Sequence, residues 1–188
     1  MTLAEIAASA GKTGGPINGH AQLNAQGAGP GFGAQIYDVS VDTDTGHTTV
    51  ERCTVVQDVG TAIHPDYVEG QLQGGVVQGI GWALNEEYIY NDKGVLENPG
   101  FLDYRVPVAS DVPFINTEIV EVPNPDHPYG IRGIGEVPII PPLPAIANAI
   151  HDAVGIRLRD HPMSPPKVLK ALKDKMVEDL ASRGTAAE

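Results

Sequence analysis

The chain has 188 residues with 24 acidic and 12 basic side chains, a formal net charge of −12; it offers no basic cluster for a nucleic-acid backbone or an anionic lipid surface, so small molecules or other proteins are its expected partners. Its one cysteine, Cys53, excludes an internal disulfide, a four-cysteine zinc site and the ligand set of an iron–sulfur cluster, so any redox metal has to come from elsewhere. Met1 to Ile6 lack a basic region leading into an apolar core, and no apolar run approaches the ~20 residues that span a bilayer, which makes a cytoplasmic protein the expectation.

Thr2 as an N-cap, followed by Leu3, Ile6, Ala7 and Ala10 at helical spacing, predicts a short helix that stops at Gly11. Residues 11–33 are rich in Gly, Asn, Gln and Ala without a sustained period, and read as a long ordered loop or as a segment completed by another chain. Tyr37, Val39 and Val41 then alternate with polar residues as in a half-buried strand. Asp42 to Gly46 supply a turn, and Thr48 to Val56 a β-branched return strand, so together they predict a hairpin.

From Pro65 to Glu87 the apolar positions Val68, Leu72, Val76, Ile80, Ala83 and Leu84 keep helical spacing although Gly70, Gly74, Gly75, Gly79 and Gly81 interrupt them. Each interior glycine costs about 0.5–1 kcal/mol relative to alanine, so something must approach this helix very closely to offset the loss. Glu86 to Tyr90 and Val95-Leu96 flank Asn91-Asp92-Lys93-Gly94, a second hairpin signal. A Pro-punctuated connection over 97–113 leads to a predicted strand from Phe114 to Val122. Pro144 opens a helix through Ala145, Ile146, Ala149, Ile150, Ala153 and Val154, closed by Gly155. A last helix starts at Ser164 with Pro165 in its first turn; its narrow stripe of Val168, Leu169, Leu172, Met176 and Leu180 packs on one side only, and Ser182 to Glu188 form a frayed tail. Hairpins and helices without regular alternation predict an α+β fold, with 1–188 as one unit.

Gly11-Lys12-Thr13 lacks the upstream glycine and the preceding strand of a phosphate loop, and Gly27, Gly29, Gly31 and Gly33 are broken by Pro30 and lead into a strand, not a phosphate-binding helix. Two other patterns carry chemistry. In Tyr129-Gly130-Ile131-Arg132-Gly133-Ile134-Gly135-Glu136-Val137-Pro138 a single carboxylate sits between flexible glycines and rigid prolines, a setting that aims Glu136. A glutamate side chain is a base at neutral pH, which suggests proton abstraction; an acid on a solvated loop fits the same residues. Gly70 to Gly81 place Gln71, Gln73 and Gln78 among five glycines, offering donors and acceptors where backbone can meet a flat polar ligand. Close helix packing through small residues accounts for that spacing as well.

Asp58-Val59-Gly60, then Gly70-Gln71-x-x-Gly74-Gly75-x-x-Gln78-Gly79-x-Gly81, then Gly133-x-Gly135-Glu136, then Ala145-x-Ala147-Asn148-Ala149-Ile150 with Gly155, in this order, resemble the molybdenum hydroxylases, the xanthine dehydrogenase/aldehyde oxidase family that includes the large subunits of aerobic carbon monoxide dehydrogenase. The resemblance implies a molybdenum ion on a pterin dithiolene (molybdopterin or its cytosine dinucleotide form), a metal-bound hydroxyl that attacks an electrophilic carbon, and hydride passing to a sulfido ligand. The family's Gly-Glu motif maps onto Gly135 and Glu136, making Glu136 the base that deprotonates the hydroxyl. The family's cofactor-contacting glutamine maps onto Gln71, with Gly74, Gly75 and Gln78 in the same wall.

The resemblance covers only the C-terminal part of a molybdopterin-binding domain. Family subunits run to several hundred residues, and their iron–sulfur clusters and FAD are expected on partner chains here. A split subunit, a piece of a longer chain or a remnant each fit, and alone the chain is expected not to turn over an aldehyde, an N-heterocycle or carbon monoxide. A non-catalytic interaction or assembly module that keeps the family fold is the alternative reading.

Overall fold

In the computed structural model, which describes residues 1–16, 18–22 and 29–185, Thr2 caps α1 (Leu3–Ala10) with a complete capping box. Thr2 Oγ1 accepts from Glu5 N and Glu5 Oε2 accepts from Thr2 N, so two orphan donors of the first turn are satisfied. Residue 17 and residues 23–28 of the expected loop lie outside the described residues, and its described parts hold no helix or strand before β1 begins at Gly33.

β1 (Gly33–Val41) and β2 (Thr48–Asp58) form the expected antiparallel hairpin. Its turn is built by Asp42, whose Oδ1 accepts from Asp44 N and Thr45 N, and by Gly46 at φ 76. The register shifts after Asp38↔Arg52 so that Val39 faces Val50, leaving Glu51 as the extra residue of a bulge. The bulge resets the strand's alternation, and both Val50 and Cys53 therefore face the core.

α2 (Pro65–Leu84) runs from β2 toward β3 (Ile115–Val120), which joins the far side of β2 in parallel and makes a three-stranded sheet of order β1-β2-β3. α3 (Pro142–Val154) packs on β1 and α2. It starts two residues earlier than expected because a first helical turn needs no backbone donors, so Pro142 and Pro144 are both accommodated there. Gly155 closes it at φ 72, in the left-handed region. α4 (Pro165–Thr185) adds Val168 to the core, and residues 186–188 of the expected frayed tail lie outside the described residues. No described helix is long and apolar enough to cross a membrane.

The expected second hairpin does not form as a strand pair; only Tyr90 and Leu96 make an isolated bridge. The side chain of buried Asn98 takes the place of ladder partners there. It accepts from Ile89 N at 2.9 Å and donates to Glu87 O at 2.6 Å.

The core is built by Leu72, Val76 and Ile80 of α2 against Cys53 and Val55 of β2 and Ile146 and Ile150 of α3. Each of those three large α2 side chains contributes roughly 1.5–3 kcal/mol on full burial, which outweighs the few kcal/mol lost at its glycines. The glycines themselves divide into two kinds. A Cβ on Gly75 would strike the ring of Pro138, and one on Gly79 would lie 2.6 Å from Pro142 Cβ and 3.1 Å from Ile139 O. Nothing lies within 4 Å at Gly70 or Gly74. Opposite outcomes are therefore expected for one substitution. Gly79→Ala forces the rigid Pro142 ring and the Ile139 carbonyl away from α2 and should cost about 1–3 kcal/mol despite its gain in helix propensity. Gly74→Ala meets no obstacle and should stabilise by about 0.5–1 kcal/mol. Denaturant unfolding midpoints measure both, and shifts of the same sign would contradict this division.

Candidate cofactor site

The segment that carries Glu136 is tied down at both ends. At its start, Asp58, the last residue of β2, sits 2.9 Å from Arg132 Nε, with the two side chains only 10 % and 11 % exposed. The carboxylate lies off the line of the Nε–H, so the contact is ionic and not a straight hydrogen bond. Asp58 Oδ1 also accepts from Gly60 N at 2.9 Å and Val122 N at 3.3 Å. Gly60 at φ 69 bridges to Ile131, and a side chain there would drive into Gly130 O. That position requires glycine for both its backbone angle and its space. Arg132 N donates to Val59 O at 3.0 Å, and Arg132 Nη1 reaches Pro30 O at 2.7 Å. The Asp58-Val59-Gly60 motif thus holds the beginning of the glycine stretch by charge and backbone pairing.

At its far end Pro138, in a 3₁₀ turn over Val137–Ile139, is buried against Gly75 of α2. Its carbonyl accepts from Gln35 Nε2 of β1 at 2.9 Å, and Gln35 Oε1 accepts from Tyr37 OH at 2.6 Å. Tyr37 pairs across the hairpin with Cys53. Burial pushes the Tyr37 hydroxyl far above its ordinary pKa and raises the Cys53 thiol as well, so the tyrosine keeps its proton to donate. Cys53 is fully buried, a small core residue and not an accessible nucleophile.

Between these anchors, Glu136 opens the turn at φ −115 and ψ −10, its carbonyl accepting from Ile139 N at 3.3 Å. Its side chain is exposed and has no hydrogen bond or ion pair among the described residues. The loop lies over α2: a methyl placed on Gly135 would be 4.0 Å from Gln71 Nε2. Gln71, Gly74 and Gln78 follow one another on an exposed row of α2, while Gly75 faces the protein and Pro138. Gln78 is thus about 10 Å along the helix axis from Gln71, at 1.5 Å per residue. Beside Gln71 a cleft of about 220 Å³ is lined by Val59, His64, Tyr67, Arg132 and Ile134 among others.

These residues fit a large polar cofactor. Gln71, Gln78 and Glu136 present polar side chains for which the described residues supply no partner, and Gly70, Gly74 and Gly133 leave open space where a Cβ would stand. Gly75 fits differently from the expectation, since the space beside it is taken by Pro138; it lets the loop approach the helix and so supports the site from behind. Among the described residues no three His, Cys, Asp or Glu side chains form a metal-ligand set.

The structure sets Gly135 beside Gln71, with Glu136 next in the chain; the sequence assigned no role to Arg132 or Gln35. Arg132 carried no signal beyond lying inside the glycine segment. Gln35 did carry one, as a carboxamide on the inward-facing side of a strand with Tyr37, Val39 and Val41.

Residues 1–113 match the family profile described as the molybdopterin cofactor-binding domain. The xanthine dehydrogenase molybdenum-binding subunit of Escherichia coli O157:H7 is 37 % identical over 156 residues, 82 % of this chain and 21 % of that protein. The aldehyde oxidoreductase of Megalodesulfovibrio gigas is 39 % identical over 144 residues, 76 % of this chain and 15 % of that protein. Among solved structures, the reconstituted CO dehydrogenase from Oligotropha carboxidovorans superimposes with a TM-score of 0.72 and 29 % identity, covering 79 % of this chain and 19 % of that one. The chain thus spans between 15 % and 21 % of the length of these relatives. The polar row on α2, the anchored Gly-Glu loop beside it and these similarities agree: the chain belongs to the molybdopterin cofactor-binding domain family of the molybdenum hydroxylase large subunits.

Proposed function

We propose that this chain is the C-terminal portion of a molybdopterin-binding domain and supplies the base and one wall of the cofactor site in a molybdenum hydroxylase that oxidises an aldehyde, an N-heterocycle or a similar small molecule. The observation that carries this reading is the unpartnered Glu136 carboxylate, held between two anchors with Gly135 against Gln71. When bound, the molybdenum–pterin cofactor supplies the two-electron oxidation. Glu136 contributes a carboxylate oxygen that takes a proton as the substrate is oxidised, the role of a positioned general base. Gln71 contributes an amide that can both donate to and accept from the polar rim of the cofactor, and Gln78 does the same farther along α2. Gly74 and Gly135 keep side chains out of the space between.

The rest of the molybdenum subunit, an iron–sulfur subunit and an FAD subunit complete the enzyme and carry electrons away. The relatives named for xanthine dehydrogenase, aldehyde oxidoreductase and CO dehydrogenase support this reaction class.

Purification of the chain with its native partners, followed by molybdenum and pterin assays per mole, tests the reading. Near-stoichiometric cofactor is expected, and Gln71→Ala should lower it, with only a modest change in turnover of the loaded fraction. Cofactor-free complexes that are otherwise intact would favour the non-catalytic assembly module instead.

A further inference from the structure

We infer that Gln35, 103 residues before Pro138 in the chain, is a positioning residue that sets the direction of the Glu136 side chain. The inference rests on Glu136 being the base. Gln35 lies on the inward-facing side of β1, where a carboxamide is costly unless both of its ends are satisfied. Both ends are. Pro138 O can only accept, so it fixes which end of the amide is which: Nε2 donates to it at 2.9 Å, and Oε1 is left to accept from Tyr37 OH at 2.6 Å. Tyr37 is buried and holds its proton, so the amide has no reason to flip.

Pro138 is the middle residue of the 3₁₀ turn that Glu136 opens. Its ring, with φ locked, is seated against Gly75, and its carbonyl is held by Gln35. Ring and carbonyl fixed together leave the peptide plane after Pro138 no rotation, and the turn that aims Glu136 becomes rigid. The contact with Gly75 fixes where the turn sits; the bond from Gln35 fixes how it is rotated. A neutral amide does this without placing a second charge beside the Glu136 carboxylate. Through this bond the β-hairpin, which contributes no group to the cofactor wall, reaches the reacting group.

The test uses the complete molybdenum enzyme containing this chain. Gln35→Leu keeps side-chain bulk and removes both hydrogen bonds. A displacement of about 1 Å in a positioned group can cost on the order of 100-fold in rate. We expect kcat to fall about 10- to 100-fold while KM stays within about two-fold and molybdenum per mole is unchanged. Hydrogen exchange at the Ile139 amide, which is bonded to Glu136 O, should quicken at the same time, a readout independent of turnover. Tyr37→Phe, which removes the bond to Oε1 and so loosens the amide while leaving Gln35 Nε2 to donate to Pro138 O, should give a smaller loss in the same direction, and it decides the matter if Gln35→Leu does not fold.

In a Glu136→Gln background, Gln35→Leu should lower the residual rate by less than about two-fold, because the group it positions is already gone. Wild-type kcat in Gln35→Leu and Tyr37→Phe, or an equal loss factor with and without the Glu136 carboxylate, would overturn the positioning role. Wild-type turnover in Glu136→Gln alone would instead overturn the base assignment beneath it.

Discussion

Glu136→Gln in the complete enzyme is expected to retain its molybdenum and pterin and to lose turnover by about 10²- to 10⁴-fold, the range that a positioned general base contributes. The change is isosteric and removes only the ability to take a proton. Because the wild-type side chain is exposed and makes no hydrogen bond or ion pair among the described residues, nothing in the fold depends on its charge. Stability should stay within about 0.5 kcal/mol of wild type, as for surface substitutions away from special features. Parallel measurements of molybdenum content, unfolding midpoint and kcat separate the cases. Equal turnover in wild type and variant would refute the assignment, and loss of the metal together with the rate would make Glu136 a cofactor ligand and not a base.

Arg132→Met should be the most damaging single change to the fold near the site, at about 3–5 kcal/mol, the usual penalty for removing one partner of a buried ion pair. The Asp58 carboxylate would remain at the end of β2, 10 % exposed and facing no cation, and the segment at Pro30 would lose the bond from Arg132 Nη1. Against a total stability of about 5–15 kcal/mol for a domain, a loss of that size is decisive. The double variant Asp58→Asn with Arg132→Met should recover much of it. The neutral amide still accepts from Gly60 N and leaves no buried charge behind. Urea unfolding of the two single variants and the double variant forms the cycle that checks this; a double variant at least as unstable as Arg132→Met alone would show that charge pairing is not what holds the loop.

These two residues show how the family motifs divide in physical terms. Asp58-Val59-Gly60 and Gly79 were legible as a signature, and their work is an ion pair, backbone pairing and close packing. The reading of Glu136 and Gln71 rests on the order of the family motifs, because a lone acid among glycines and a glutamine after a helical glycine each fit a bland reading as well. Gly75 was read with the cofactor wall, but Pro138 packs against it: Gly74 and Gly75 lie on opposite flanks of Gln71 on α2, and the loop covers the Gly75 flank while the Gly74 flank stays open. The second hairpin forms only as far as one antiparallel bridge: Asn91 to Gly94 make the turn, backbone bonds join Asn91 to Val95 and Glu97 to Ile89, and beyond them the side chain of Asn98 takes the bonds of a longer ladder.

Local periodicity and caps were enough to place α1, the first hairpin, α2, α3 and α4 within a few residues, since each is specified by side chains close in sequence. Glu136 and Gln71 were singled out by the family resemblance, since the local residues left a solvated loop and close helix packing equally open. The parallel pairing of β3 with β2, the ion pair between Asp58 and Arg132, and the bond from Gln35 to Pro138 belong to the tertiary structure alone. Each joins residues far apart in the chain, and whether two such groups meet is decided by how the helices and the sheet pack, a sum over many weak contacts that no local pattern records.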